Sequence, residues 1–167
     1  MLIRSEREAD QTAVYTVNAS AFATEAEAKL VDVLRTDAHP IVSLVAEEQG
    51  QVVGHIMFSP VALSGDPQLS MMGLAPLAVT PQYQRQGIGS ALVRAGLEQC
   101  KNLGTVAVFV LGHPTYYPRF GFVPSSQFAI DYEYEVPEEA FMAIELQPTA
   151  LRGKTRRVTF HSAFSNV

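Results

Sequence analysis

Residues Leu77–Val93 confine the fold more tightly than any other part of the chain. An apolar, strand-like run ends at Val79, and Thr80-Pro81 stops it. A polar turn, Gln84-Arg85-Gln86-Gly87-Ile88-Gly89, leads into a helical pattern that continues to about Leu103. Two glycines at a strand-to-helix junction let backbone approach a ligand with no Cβ in the way. The helix start behind them leaves unpaired N–H groups and a partial positive charge, which together suit phosphate. The stretch therefore predicts a strand, a glycine-bearing anion cradle and a helix. A dinucleotide site of the Rossmann type is the competing reading. It requires a third glycine where Leu92 stands, and a strand–helix–strand unit where the preceding runs look like hairpins.

The remaining elements arrange around this junction. Leu2–Arg4 is a short strand candidate. Asp10–Phe22 and Glu25–Arg35 are helical, the second with Ala26, Leu30, Val33 and Leu34 at helical spacing. Ile41–Ala46 and Gln51–Leu63 are strands joined by a hairpin turn at Gln49-Gly50. Leu69–Val79 is the next strand, and Pro76 inside it cannot donate to a ladder, so a bulge or an opening is expected there. The near-continuous apolarity of Thr105–Leu111 suits a strand covered on both faces. A brief helix is expected within His113–Phe120, then strands over Gly121–Ile130 and Phe141–Leu146, and a final strand at Arg157–Phe160. The order predicts an α/β fold with a mixed sheet: a domain over 1–148, and a tail over 149–167 that could add a strand to it.

Composition narrows the function. The 167 residues are 47% hydrophobic and 17% charged, enough apolar material for a core and too little charge for disorder. The net charge of −5 argues against nonspecific nucleic-acid binding. There is one cysteine, Cys100, so no intrachain disulfide. No signal segment or long apolar run appears, which predicts a soluble cytoplasmic protein with no membrane partner. His39, His55, His113 and His161 show no metal-binding spacing, so no metal is expected. No serine-hydrolase elbow is present.

The residues resemble the GCN5-related N-acetyltransferase (GNAT) family. Gln84-Arg85-Gln86-Gly87-Ile88-Gly89 fits its Gln/Arg-x-x-Gly-x-Gly/Ala signature. Tyr117-Pro-Arg-Phe-Gly-Phe122 fits a second feature, a tyrosine four residues before Gly-Phe. Ala26-Glu-Ala-Lys-Leu-Val31, Phe58-Ser-Pro-Val61, Ala75-Pro-Leu-Ala-Val79 and Leu111-Gly-His-Pro resemble the bacterial YhbS-like acetyltransferases within it. The resemblance implies the GNAT acyl-CoA N-acyltransferase fold, a mostly antiparallel sheet splayed at the CoA site with helices on both faces. It implies transfer of acetyl from acetyl-CoA to a primary amine by direct attack, without an acyl-enzyme. By the same resemblance, Gln84, Arg85, Gln86, Gly87, Ile88, Gly89 and Ser90 would hold the pyrophosphate. Leu77, Ala78 and Val79 would border the pantetheine, which lies in the splayed gap like an added strand.

Departure of CoA as a thiolate calls for a proton donor, and the resemblance implies Tyr117 as general acid, since it matches the family's tyrosine in its spacing to Gly121-Phe122. Tyr116 is the adjacent competitor, and either ring could be plain core. His113, at a corner where related proteins often carry Asp, is a candidate to take a proton or place a water, with capping or packing as the plainer role. No general base is visible, because Leu69–Val79 carries no acid. That gap motivates the alternative of a non-catalytic acyl-CoA-binding or regulatory module. Asp131, Glu133, Glu135, Glu138 and Glu139 form an acidic cluster that could draw a cationic acceptor, a small amine or a protein lysine. A basic cluster, Arg152, Lys154, Arg156 and Arg157, could pair with it. Exposed late strands could join two copies as a homodimer.

Overall fold

A computed structural model describes residues 1–153 and 156–167. Lys154 of the basic cluster lies outside the described residues. Strand β1 (Leu2–Ser5) leads to helices α1 (Gln11–Ala21) and α2 (Ala26–Asp37), then to strands β2 (Val42–Glu48), β3 (Gln51–Leu63) and β4 (Met71–Val79). Helix α3 (Ile88–Asn102) and strand β5 (Ala107–Leu111) follow. Strands β6 (Val123–Pro124), β7 (Ile130–Tyr132), β8 (Phe141–Glu145) and β9 (Arg156–Thr159) complete the order. The main sheet runs β1-β2-β3-β4-β5-β8-β6, antiparallel except for the β4–β5 pair. This mixed sheet with flanking helices is the predicted architecture.

Local chemistry sets the element ends. The Ala26 amide at the start of α2 donates to Thr24 Oγ1 (3.2 Å). The helix stops at Asp37, ahead of His39-Pro40, since the residue before a proline is kept out of the helical region. Gln49 and Gly50 both take positive φ (50° and 79°), the pairing a two-residue hairpin needs between β2 and β3. β3 is buried through most of its length because helices cover both faces. On one face Ile56 and Phe58 meet Leu92 and Val93 of α3; on the other Met57 meets Val14 of α1 and Leu30 and Leu34 of α2. A third cluster joins Phe109 of β5 and Phe141 of β8 to Ile130, Val158 and Phe160.

Two irregularities in β4 position the site. Ile56 pairs Leu77 and Phe58 pairs Leu74, so Met57 faces two residues, Ala75 and Pro76. This is the bulge that a proline without an N–H was expected to cause. On its other edge β4 pairs β5 only from Met71 to Gly73, against Ala107–Phe109. Beyond Gly73 the two strands part.

The sequence reading fails at Gly121–Ile130, expected as one strand. The chain forms the two-residue β6, a 3-10 turn over Ser125–Phe128, and then β7 in a separate small sheet. Pro124 has no N–H to continue a ladder, the buried Ser125 hydroxyl donates to the Ile130 carbonyl (2.8 Å), and Ala129 turns the chain at φ 56°. β9 forms within the expected tail. It pairs β7 in parallel and the end of β3 in antiparallel fashion. The acidic and basic clusters meet in this small sheet, where Asp131 lies opposite Arg157.

Candidate active site

Where β4 and β5 separate, a cavity of about 1060 Å³ opens. One wall is the unpaired part of β4, with Leu74, Ala75, Pro76, Leu77 and Val79. The other is the end of β5 and the turn after it, with Leu111, Gly112 and His113. The mouth on the α3 side is the glycine turn: Gln84, Arg85, Gly87, Ile88, Gly89 and Ser90 all line it. Of the residues nominated from sequence, Ala78 and Gln86 are not among the lining residues. Ala78 is buried opposite His55, and the Gln86 side chain donates to the Gln82 carbonyl (3.4 Å).

The turn is built to present backbone. Gly87 caps α3 in the left-handed region (φ 86°), and Arg85 holds φ 63° without being glycine, a conformation few such residues adopt. Among the described residues, the amides of residues 85–90 make no backbone hydrogen bond. They sit at the positive end of α3, and an anion there would satisfy them. Gln84 braces the turn by donating from its side chain to the Val79 carbonyl (2.9 Å). Gly89 is needed for room: a Cβ there would stand 3.2 Å from the Tyr116 hydroxyl.

The two tyrosines separate cleanly. Tyr116 is engaged: its hydroxyl shares a hydrogen bond with Ser90 Oγ (3.1 Å), and its ring lies under the Arg119 guanidinium, 4.4 Å from the ring centre. Tyr117 is 8% exposed and packs edge-on to Phe122 and Tyr116. Its ring lies against Gly112 so closely that a Cβ there would come within 2.5 Å. Its hydroxyl makes no hydrogen bond among the described residues, and the residue lines the cavity. Burial, and secondarily Tyr116, push its pKa above the ordinary phenol value, so the proton is firmly held. The His113 side chain is exposed at the cavity edge, and its carbonyl accepts the Tyr116 amide (3.1 Å).

The far end of the cavity escaped the sequence reading. Phe22, Glu27 and Leu30 enter from α2 and the connection before it; Tyr132, Phe160 and Phe164 enter from β7, β9 and the turns beyond. Of the acidic cluster's segment only Tyr132 reaches this lining. Glu27 sits on α2 three residues before Leu30, so both point the same way. It falls inside Ala26–Val31, one of the stretches that carry the YhbS-like resemblance, but its neighbours at the cavity are distant in sequence and its place there is not legible from that stretch. Among the described residues no group of three or more His, Cys, Asp or Glu side chains could hold a metal, and no helix is long and apolar enough to cross a membrane.

The sequence and fold match known proteins. The model of the acetyltransferase (GNAT) family matches residues 7–122. The chain is 39% identical over 166 residues to the uncharacterized N-acetyltransferase YhbS of Escherichia coli K12, covering 99% of each. It superposes on a crystal structure of Escherichia coli YhbS in complex with CoA with a TM-score of 0.92 at 38% identity, over 98% of this chain and 91% of that one. A GNAT family acetyltransferase from Brucella melitensis, in complex with acetyl-CoA, gives 0.78 at 36% identity over 98% and 97%. With its sheet parted beside a glycine turn and its sequence matched nearly end to end, the chain belongs to the GNAT acetyltransferase family and is closely related to the YhbS-like proteins of Escherichia coli.

Proposed function

We propose that the protein is an acetyl-CoA-dependent N-acetyltransferase that acts on a primary amine by direct attack. The observation that carries this reading is the parted β4–β5 pair, which opens between the unbonded amides of residues 85–90 and the free hydroxyl of Tyr117. The residues fit the group. The amides and the α3 terminus suit a pyrophosphate, and the unpaired edge of β4 suits an extended amide-bearing arm laid along it as a strand. Relatives whose structures contain CoA or acetyl-CoA support the same assignment.

When bound, acetyl-CoA supplies an acyl group activated as a thioester, whose sulfur must be protonated on departure. In this reading Tyr117 gives that proton, supported by a hydroxyl with no competing acceptor among the described residues and a raised pKa that keeps it protonated at neutral pH. Gly112 and Phe122 hold the ring in position. Tyr116 and Ser90 brace the cradle rather than carry the proton. A non-catalytic acyl-CoA-binding module is the second reading, favoured only by the lack of an acid on β4.

Tyr117→Phe keeps the ring and deletes the donor. Thiol release from acetyl-CoA with a competent amine should fall about 10²–10⁴-fold, the usual worth of a positioned acid. Acetyl-CoA affinity should be unchanged. Tyr116→Phe should cost far less. Equal, small effects of the two would remove Tyr117 from the reaction, and no thiol release with any amine would favour the binding module.

A further inference from the structure

The amide cradle and Tyr117 account for one end of the cavity, and the other end has a chemistry of its own. Among the described residues, Glu27 is the only acidic side chain that lines it. One of its carboxylate oxygens, Oε1, is buried and has no hydrogen-bond partner among the described residues. That oxygen gains no hydrogen bond from protein, so the carboxylate is short of the donors its charge needs, and a cation drawn to the group would offset the cost. Aromatic rings line the same cavity. Phe160 packs edge-on to Tyr132 (5.4 Å between ring centres) and to Phe164 (5.1 Å), and Phe22 enters from the α2 side. The rings are locked to one another by β7, β9 and the last 3-10 helix, so the wall is preformed.

We propose that Glu27 binds the ammonium group of the acceptor, and that Phe22, Tyr132, Phe160 and Phe164 hold an apolar body attached to it. The acceptor class is then a monoamine with an aryl or bulky aliphatic substituent. The inference rests on the reading of this cavity as the acetyl-transfer site. One carboxylate matches one ammonium group, and aromatic faces favour both a cation and flat apolar surface. A polyamine or an aminoglycoside would bury further charges against rings, with no second acidic side chain among the described lining residues to meet them.

Binding decides the proposal independently of turnover. 2-Phenylethylamine, spermidine and kanamycin are titrated calorimetrically into the protein with CoA present, and acetyl-CoA is titrated separately. 2-Phenylethylamine should bind at least tenfold more tightly than the other two. Glu27→Gln, nearly isosteric, should weaken it about 10–100-fold, the loss expected for hydrogen bonds to a charged partner, while acetyl-CoA affinity and melting temperature stay the same. In turnover the same variant should raise KM for the amine with little change in kcat. Preference for spermidine or kanamycin, or no binding of 2-phenylethylamine to the wild type, overturns the proposal without reference to the variant. So does a Glu27→Gln effect below twofold. Failure of the wild type to bind acetyl-CoA would instead strike at the acetyltransferase reading.

Discussion

Tyr116 and Tyr117 are neighbours in the chain and both line the cavity, but one hydroxyl is spoken for by Ser90 and the other has no hydrogen-bond partner among the described residues. The difference predicts a pH profile. A phenol pushed above its ordinary value of 10 stays protonated across the neutral and mildly alkaline range. Turnover should therefore climb with pH as the amine loses its proton, and show no falling alkaline limb up to pH 10. A rate that declines above about pH 9, in protein that remains folded, would mean that another group supplies the proton. At this scale the sequence was legible where function rides on local spacing. Tyr117, four residues before Gly121-Phe122, and Gly87-x-Gly89 are picked out through the spacing the GNAT resemblance supplies, and Tyr117, Gly87 and Gly89 line the cavity. Glu27 could not be read. Its meaning depends on α2 crossing above a gap that two other strands create, and no window of sequence contains that.

Among the elements, α3 and β3 show how a missing side chain positions a helix. Gly96 lies on the face of α3 that meets Phe58, and an added Cβ would fall 2.1 Å from the ring's Cε1. Phe58 is fully buried and has no room to withdraw. Gly96→Ala should lower the stability to urea by about 1–3 kcal/mol, the usual cost of overpacking a core, although alanine is the better helix former. A neutral or stabilising result would show that the helix shifts freely on the sheet. Hydrophobic periodicity gave most element positions well: Gln51–Leu63 is the observed β3, and α3 differs from expectation by a residue at its end. It failed over Gly121–Ile130, where β-rich composition hides three separate interruptions of a ladder. A proline, a serine bonded to backbone five residues on and a left-handed alanine redirect the chain there.

At the scale of the whole molecule, a buried polar chain ties the helical layer to the sheet. Asn18 of α1 donates through Nδ2 to the Val14 carbonyl (3.0 Å) and to Nδ1 of His55 (3.1 Å). The imidazole proton therefore sits on Nε2, which donates to Ser43 Oγ (2.9 Å); the Ser43 hydroxyl donates to Glu6 (3.1 Å), and Arg35 donates to Glu6 through Nε and Nη2. Burial, with Arg35 nearby, drives the His55 pKa from 6.5 down to about 3. The unfolded chain takes up that proton near pH 6.5 and the folded one does not, so this contribution to stability is complete above pH 6.5 and is lost as pH falls toward 3. The urea midpoint should drop between pH 7 and pH 5, by an amount equivalent to a kcal/mol or more, and the drop should largely vanish in His55→Gln. An unchanged midpoint over that interval would mean that the ring is charged, or hydrated, in the native state. The parted sheet has a different consequence. Six residues of β4, Leu74 to Val79, carry a bare edge, and a bare edge invites any extended chain, including a second copy of this one. Pro76 sits in the middle of that edge with no N–H to offer, and the bulge around it breaks the even spacing that a straight strand would need. The proline that lies along the slot thus keeps it from acting as a template for aggregation.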